Sequence, residues 1–161
     1  MFAKYGHMSE KPVISVAIDT NVLVPSLYSR TPIARFILSG KLTFIWNPFI
    51  HNEASKIINR LADRYYKKAG VQSEEIIKLL ELITDLGIEV PDMPDDWPSI
   101  SSDRNDDPFL WAALTGGAEY IISDDESHML KLKEFCGIPI GTPGDFFEWV
   151  KIAHPIPKPR W

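Results

Sequence analysis

The chain has 161 residues, a formal net charge of −5 and a hydrophobic fraction of 45%, which are typical of one folded domain. These values argue against a disordered, collagen-like or coiled-coil protein, and the single cysteine excludes an internal disulfide and a cysteine-rich zinc site. The negative charge disfavours a passive nucleic-acid coat protein, but it leaves open an enzyme whose acids surround metal ions. No apolar run approaches the ~20 residues of a membrane span and no basic-then-apolar leader is recognisable, so we expect a cytoplasmic protein without a membrane partner.

The first half of the chain alternates short apolar strands with amphipathic helices. Residues 13–18 predict a buried parallel strand with Asp19 at its carboxyl end. Pro25 is expected to interrupt the stretch that follows, and a helix then begins at Pro32 and stops at Gly40. The further elements predicted are a strand over 42–46, a helix over 48–68 capped by Asn47, a helix from Ser73 that ends at Gly87, and a strand over 88–90.

The second half continues this alternation after a proline-rich loop at 91–102. The elements predicted there are a helix over 108–114, a strand over 120–123, a short helix at 130–132, a weak strand over 138–140 and a final helix over 146–150. Pro139 favours an edge position for the weak strand, because proline cannot donate a hydrogen bond to a neighbouring strand. The alternation predicts an α/β fold, a single-domain three-layer α/β/α architecture with a mostly parallel sheet of about five strands.

Two terminal segments fit no element of this pattern. Residues 1–12 are expected to be an unstructured lead or a remnant of cloning. Residues 153–161 contain three prolines and are typical of an extended tail. The folded domain is therefore predicted to span residues 13–152.

Acidic side chains gather near the carboxyl ends of the strands, the edge at which open parallel sheets bind ligands. The candidates are Asp19 after the first strand, Glu53 early in the helix after the second strand, Asp103, Asp106 and Asp107 before the helix that leads into the fourth strand, and Asp124 and Asp125 after the fourth strand. Carboxylates at one edge repel one another unless a cation lies between them, and Mg²⁺ or Mn²⁺ takes oxygen ligands. Such ions activate water for attack on phosphodiesters, so the pattern predicts hydrolysis of a nucleic-acid backbone.

Four segments resemble the motifs of PIN-domain nucleases. Residues 16–23 (VAIDTNVL) resemble the opening motif, and Glu53 stands at the place of the helical acid. Residues 107–113 (DPFLWAA) resemble the third motif, and residues 120–125 (YIISDD) resemble the fourth. The similarity runs from about residue 13 to residue 142 and is greatest with the branch regarded as toxins of toxin–antitoxin pairs.

The resemblance also implies which side chains act. The catalytic and metal-binding acids of the family correspond to Asp19, Glu53, Asp107 and Asp125, which would hold one or two Mg²⁺ or Mn²⁺ ions. Asn21 and Ser123 would orient these acids through hydrogen bonds. Asp107 is preferred for its position directly before the apolar helix, and Asp125 for its two-residue step after Ser123. The alternates are Asp103, Asp106 and Asp124. The resemblance further implies a single-stranded RNA substrate, a cognate antitoxin as protein partner and a homodimer.

Other residues have both a functional and a plain interpretation. Candidate RNA contacts lie at the basic end of the long helix, at Arg60, Arg64, Lys67 and Lys68, although a solvated face near a helix C-terminus explains the same pattern. Trp97, in the proline-rich loop, is interpreted mainly as packing and alternatively as a stacking partner for a base. Each acid taken alone is also explained as a helix cap or a solvated charge.

The acids predict a divalent-metal-dependent nuclease that uses a metal-activated water. The resemblance implies in addition an endoribonuclease that cleaves single-stranded RNA and acts as the toxin of a type II toxin–antitoxin system. One alternative is a catalytically weak PIN-fold module that binds RNA or protein. A less favoured alternative is a phosphatase with Asp19 as its nucleophile. Haloacid-dehalogenase-like phosphatases carry an aspartate two residues after that nucleophile, and this chain has Asn21 there.

Overall fold

A buried strand, β1 (Ile14–Ile18), lies in the middle of the sheet in the computed structural model, which describes residues 13–155. β1 pairs in parallel with β2 (Leu42–Trp46) on one side and with β4 (Tyr120–Ile122) on the other. The remaining strands are β3 (Ile88–Glu89), β5 (Glu134–Phe135) and β6 (Ile138–Gly141), and the sheet order is β3-β2-β1-β4-β6-β5. Every pair is parallel except β5 with β6. The predicted α/β fold with a mostly parallel sheet is confirmed, with six strands instead of about five.

Seven α-helices accompany the sheet in the described residues, consistent with three layers. They are α1 (Thr20–Ser29), α2 (Pro32–Leu38), α3 (Pro48–Ala69), α4 (Ser73–Asp85), α5 (Asp107–Gly116), α6 (Met129–Leu132) and α7 (Pro143–Ala153), and a short 3₁₀ helix covers Arg104–Asp106. The longest helix begins as its cap chemistry predicts, because the Asn47 side chain accepts a hydrogen bond from the backbone N–H of Ile50 at 2.9 Å. It ends at Gly70, whose φ of 68° is left-handed.

The prediction that Pro25 interrupts the first helical stretch is wrong. Helix α1 runs through this residue without a break. A proline here removes one helical hydrogen bond, to the carbonyl of Asn21, and Asn21 is exposed, so water can satisfy that oxygen. The burial of an apolar face stabilises the helix against this loss; its buried aliphatic residues are Val22, Leu23, Val24 and Leu27.

The edge position predicted for the strand at 138–140 is also wrong. β6 lies between β4 and the short strand β5, which the sequence analysis missed. A two-residue turn joins β5 to β6, in which Cys136 (φ 50°) and Gly137 (φ 81°) are both left-handed, as a type I′ hairpin turn requires. Two-residue strands are too short for an alternating pattern to reveal them.

The last helix is longer than predicted. α7 begins at Pro143 because the Thr142 hydroxyl accepts the Asp145 N–H at 3.1 Å, while the Asp145 carboxylate accepts the Thr142 N–H at 3.1 Å. It ends at Ala153, one residue beyond the predicted domain boundary. The predicted lead at 1–12 and most of the predicted tail lie outside the described residues and stay predictions. Among the residues that the structure describes, no helix has both the length and the apolar character to cross a membrane.

Candidate active site

A cleft of about 310 Å³ opens where β1 and β4 end, and five carboxylates line it. They belong to Asp19 after β1, Glu53 on α3, Asp103 and Asp106 before α5, and Asp125 after β4. Because neighbouring parallel strands end at the same edge, acids that are far apart in sequence lie side by side. The structure thus brings together three of the four preferred acids and two of the alternates.

Asp19 is the most buried acid of the cleft, with 6% of its surface exposed. One carboxylate oxygen accepts the backbone N–H of Asn21 at 3.1 Å, and the other accepts the hydroxyl of Ser123 at 3.1 Å. Burial raises the pKa of Asp19 above its usual value, these two hydrogen bonds oppose the shift, and the nearby charges of Asp124 and Asp125 add to it. The carboxylate is therefore held in one orientation beside other negative charges.

Ser123 connects the acids that follow the two strands. Its wholly buried side chain donates to Asp19, and the same oxygen accepts the backbone N–H of Asp125 at 3.1 Å. Asn21 orients Asp19 through its backbone N–H, whereas its own side chain lies exposed at the cleft. Hydrogen bonding was expected from both residues, and the structure places it on the Ser123 hydroxyl and the Asn21 backbone.

Asp125 lines the cleft, and its neighbour Asp124 does not. One Asp125 oxygen accepts the backbone N–H groups of Ser127 at 3.0 Å and His128 at 3.2 Å. The other oxygen has no hydrogen-bond partner among the described residues. Asp124 is exposed and contributes only its charge to the pKa of Asp19. Of these two aspartates, the geometry favours Asp125.

Asp107, the acid preferred from the third motif, does not line the cleft. It is completely buried, and one oxygen accepts the Ser101 N–H at 2.8 Å while the other accepts the Arg104 guanidinium at 3.0 Å. The N–H of Ile100 lies 3.3 and 3.4 Å from the two oxygens. Both oxygens therefore hold the preceding loop. Of these two adjacent acids, it is the alternate Asp106 that lines the cleft.

Asp106 lies in the cleft, and the other acids affect its titration. Burial and the charges of Asp103, Asp125 and Asp19 raise the pKa of Asp106 to about 6, against a hydrogen bond from Ser101 that lowers it. That bond joins the Ser101 hydroxyl to the carboxylate at 3.1 Å. Asp106 is therefore partly buried in the cleft and lies close enough to Asp103, Asp125 and Asp19 to feel their charges.

Ser101 was missed by the sequence analysis. Its side chain holds Asp106 and accepts the Asp103 N–H at 3.2 Å, while its backbone N–H holds Asp107. The neighbouring Ser102 hydroxyl lies 2.6 Å from His128 Nδ1, which ties this loop to the segment after β4. A serine in a polar, proline-rich loop carries no pattern that would have identified this role.

The basic residues of α3 are divided between the cleft and the outer part of the helix. Arg60 lines the cleft two turns beyond Glu53, and the others do not. Lys67 pairs with Asp63 at 3.1 Å, and Arg64 lies 5.9 Å from the centroid of the Tyr65 ring. Lys68 is exposed near the end of the helix. Of the four candidate RNA contacts, Arg60 is the one that the structure places beside the acids.

The donor set of the cleft fits a hard divalent cation. Across residues 13–155, no three acidic, histidine or cysteine side chains converge closely enough to form a finished metal site. Five carboxylates nevertheless line one cleft. Burial, and then repulsion by Asp103, Asp125 and Asp19, raises the pKa of Asp106. A cation between them would replace that repulsion with attraction, and carboxylate oxygens are the ligands that Mg²⁺ and Mn²⁺ prefer.

Most of the chain matches a known protein family. The family model described as PIN domain matches residues 15–127, from β1 to just beyond Asp125. No curated protein matches the chain at a significant level. The matched segment contains all five carboxylates of the cleft.

Proposed function

Since the chain belongs to the PIN-domain family and has its nuclease-type fold, we propose that it is a divalent-metal-dependent endoribonuclease that cleaves single-stranded RNA. The observation that carries the proposal is the cleft itself. Five carboxylates line it, and burial together with the charges of Asp103, Asp125 and Asp19 raises the pKa of Asp106. Negative charge is thus concentrated where a cation and a phosphate would meet. The coarser conclusion, a hydrolase of nuclease type, comes from the family.

In this proposal Asp19, Glu53, Asp106 and Asp125 hold one or two Mg²⁺ or Mn²⁺ ions. When bound, such ions supply a water that is nucleophilic near neutral pH and stabilise charge on the leaving oxygen. The Ser123 hydroxyl keeps the Asp19 carboxylate turned toward the cleft. The Ser101 hydroxyl does the same for Asp106. Arg60, the cationic residue among those that line the cleft, is placed to attract the RNA backbone.

The proposal is testable by measuring the rate at which the protein cleaves a single-stranded RNA in Mn²⁺ and in EDTA. The parent should cut only with Mn²⁺. Asp19→Asn and Asp106→Asn, which remove a charge at nearly constant shape, should lower the rate by on the order of 100-fold or more, since several kcal/mol of charge stabilisation depend on the cation. Equal cutting by the parent and Asp19→Asn, or undiminished cutting in EDTA, would contradict the proposal.

We further propose that the enzyme is the toxin of a type II toxin–antitoxin system, active as a cytoplasmic homodimer and inhibited by a cognate antitoxin. The support is the resemblance of the chain, from about residue 13 to residue 142, to that branch of the family. Induced expression of the parent should arrest bacterial growth, and Asp19→Asn at the same protein level should not. Growth arrest by both proteins would show that the effect does not depend on the cleft.

One observation favours a second candidate function, a PIN-fold module that binds RNA or protein and cuts poorly. No three candidate ligands of the described chain converge closely enough to form a finished metal site. Calorimetric titration with Mn²⁺ separates the two candidates. A nuclease should bind the ion with an affinity that Asp106→Asn weakens, whereas a module without catalysis should show no such binding.

A further inference from the structure

One face of the first half of α3 lines the cleft. The four residues on this face are Phe49, Glu53, Ile57 and Arg60. Their spacings of four, four and three residues place them above one another on the helix. With a rise of about 1.5 Å per residue, the first and the last are roughly 16 Å apart along the axis. The face therefore presents an aromatic ring, then an acid, then a cation, in that order.

Phe49 is the one aromatic ring of this cleft that is open to solvent. The other apolar residues of the cleft, Ile57 and Phe109, are each 5% exposed and belong to the core, whereas Phe49 is only partly buried. Its backbone is fixed, since its N–H donates to the Asp92 carboxylate at 3.0 Å. The ring packs in part against the hydrophobic core. The part of it that lines the cleft offers an apolar aromatic surface beside five carboxylates, on which a base can stack.

Trp97, the stacking candidate suggested by the sequence, is used elsewhere. Its ring meets the rings of Trp111 and Phe135 edge to face, with centroids 5.7 and 5.9 Å away. It does not line the cleft. Phe49 is therefore the aromatic residue placed to meet a substrate at the acids.

Arg60 has no carboxylate partner within 4.0 Å among residues 13–155. It nevertheless lies in a cleft whose other charged lining residues are acids. A guanidinium in this position is free to bind an anion, and phosphate oxygens suit its planar array of donors.

We propose that a single nucleic-acid strand lies along α3, with one base stacked on Phe49 and a backbone phosphate bound by Arg60. The scissile phosphate then lies between them, beside Glu53. This inference rests on the proposed function for the identity of the strand. A base must leave its own stack to lie on Phe49, so this path accepts single strands and excludes duplexes. Contacts on both sides of the acids require nucleotides on both sides of the cut, as internal cleavage does.

The test measures binding of a short single-stranded RNA that carries 2-aminopurine, whose fluorescence falls when it stacks. Ca²⁺ replaces Mn²⁺, and a gel confirms that the RNA stays intact. Phe49→Leu keeps the apolar bulk and removes the ring, while Phe49→Trp keeps a ring. We expect Phe49→Leu to lose the fluorescence change at one position of the probe and to bind about 10-fold more weakly, and Phe49→Trp to retain both properties.

Salt dependence tests the other end of the path. Each phosphate contact of a single strand contributes about 0.7 to the slope of log K against log salt concentration. Arg60→Gln should reduce the slope by about that amount and keep the fluorescence change. Arg64→Gln, one turn further along and outside the cleft, is the matched control and should alter the slope less.

The outcomes separate this path from the proposed function. Unchanged stacking and affinity in Phe49→Leu would overturn the role of Phe49, and an unchanged slope in Arg60→Gln would overturn that of Arg60, even if the protein cuts RNA. A parent protein that binds as described but never cuts with Mn²⁺ would contradict the nuclease and leave the path standing. Absence of binding by a folded parent would contradict both.

Discussion

Asp106 and Asp107 are adjacent in sequence and have opposite environments. One residue along a helix turns the side chain by about 100°, so at the start of α5 only one of the pair can face the cleft. Asp106 does so, while Asp107 is wholly buried against the loop that it holds. The apolar pattern of the helix identifies this pair of acids. It does not reveal the rotation of the 3₁₀ turn that decides between them.

We expect Asp107→Asn to destabilise the protein more than Asp106→Asn. The amide that replaces the Asp107 carboxylate would offer one acceptor oxygen to three donors and would leave Arg104 without its charged partner. Losses of this kind cost about 2–4 kcal/mol. Asp106→Asn removes a repelled charge and should be neutral or stabilising without metal. Urea unfolding in EDTA near pH 7 measures both variants, and equal midpoints would show that the Asp107 contacts contribute little.

The free energy of unfolding should depend on pH through the titration of Asp106. Its pKa is 3.8 ordinarily and about 6 in the folded protein, so between these values the folded state holds a proton that the unfolded state has released. Stability from this group is therefore full below about pH 4 and is lost as the pH rises through about 6. Asp19, whose pKa is also raised, acts in the same direction. Because Asp106 is partly exposed, we expect a loss of only about 1 kcal/mol.

The measurement for this prediction is the free energy of unfolding in EDTA from about pH 4 to about pH 7. The difference between Asp106→Asn and the parent should grow in favour of the variant across this range. Other acids titrate in both proteins and largely cancel in the comparison. A difference that stays constant with pH would contradict the shift.

At the scale of the elements, local signals predicted the long helices and the central strands. Asn47 and Pro48 mark the start of α3, and Gly70 marks its end, through contacts within a few residues. The strand β5 could not be recognised in this way, since two residues have no periodicity and their pairing depends on the turn at 136–137. The continuity of α1 through Pro25 likewise depends on tertiary burial, which outweighs the cost of the proline.

Gly116 should be required for α5 to approach the sheet. A Cβ on this residue would lie 2.6 Å from Cγ2 and 3.1 Å from Cδ1 of Ile45 on β2. Gly116→Ala should therefore destabilise the protein by about 1–3 kcal/mol, the usual cost of overpacking, despite the higher helix propensity of alanine. Thermal unfolding of the purified variant measures the effect.

The matched control for this variant is the next residue, Gly117. Its φ is 72° and a Cβ there meets nothing within 4 Å. Asparagine tolerates this left-handed conformation, so Gly117→Asn should melt close to the parent. If Gly116→Ala melted as high as Gly117→Asn, close packing of the helix on β2 would not be limiting.

At the scale of the whole molecule, the parts of the site that follow strands of the sheet could be predicted from the sequence, and the parts that lie on loops could not. Asp19 and Asp125 follow paired parallel strands, so their meeting is a consequence of topology. Asp103 and Asp106 reach the cleft because contacts distant in sequence hold the loop before them. One of these contacts is a hydrogen bond from Trp111 Nε1 to the Pro91 carbonyl at 2.8 Å. No pattern within the loop specifies such contacts, and Ser101 was missed for that reason.

Because the acids of the cleft come from separate segments, a bound divalent cation should stabilise the entire fold. The unfolded chain does not hold these carboxylates together, so the cation binds the folded state preferentially. Mass action then adds about 2.7 kcal/mol at a concentration 100 times the Kd. We expect Mn²⁺ to raise the melting temperature more than NaCl of equal ionic strength, which only screens the repulsion. Asp19→Asn should lose most of this increase while folding normally without metal. Identical melting curves in Mn²⁺ and matched NaCl would show that the carboxylates bind no cation. That result would contradict the metal-dependent mechanism but not the fold.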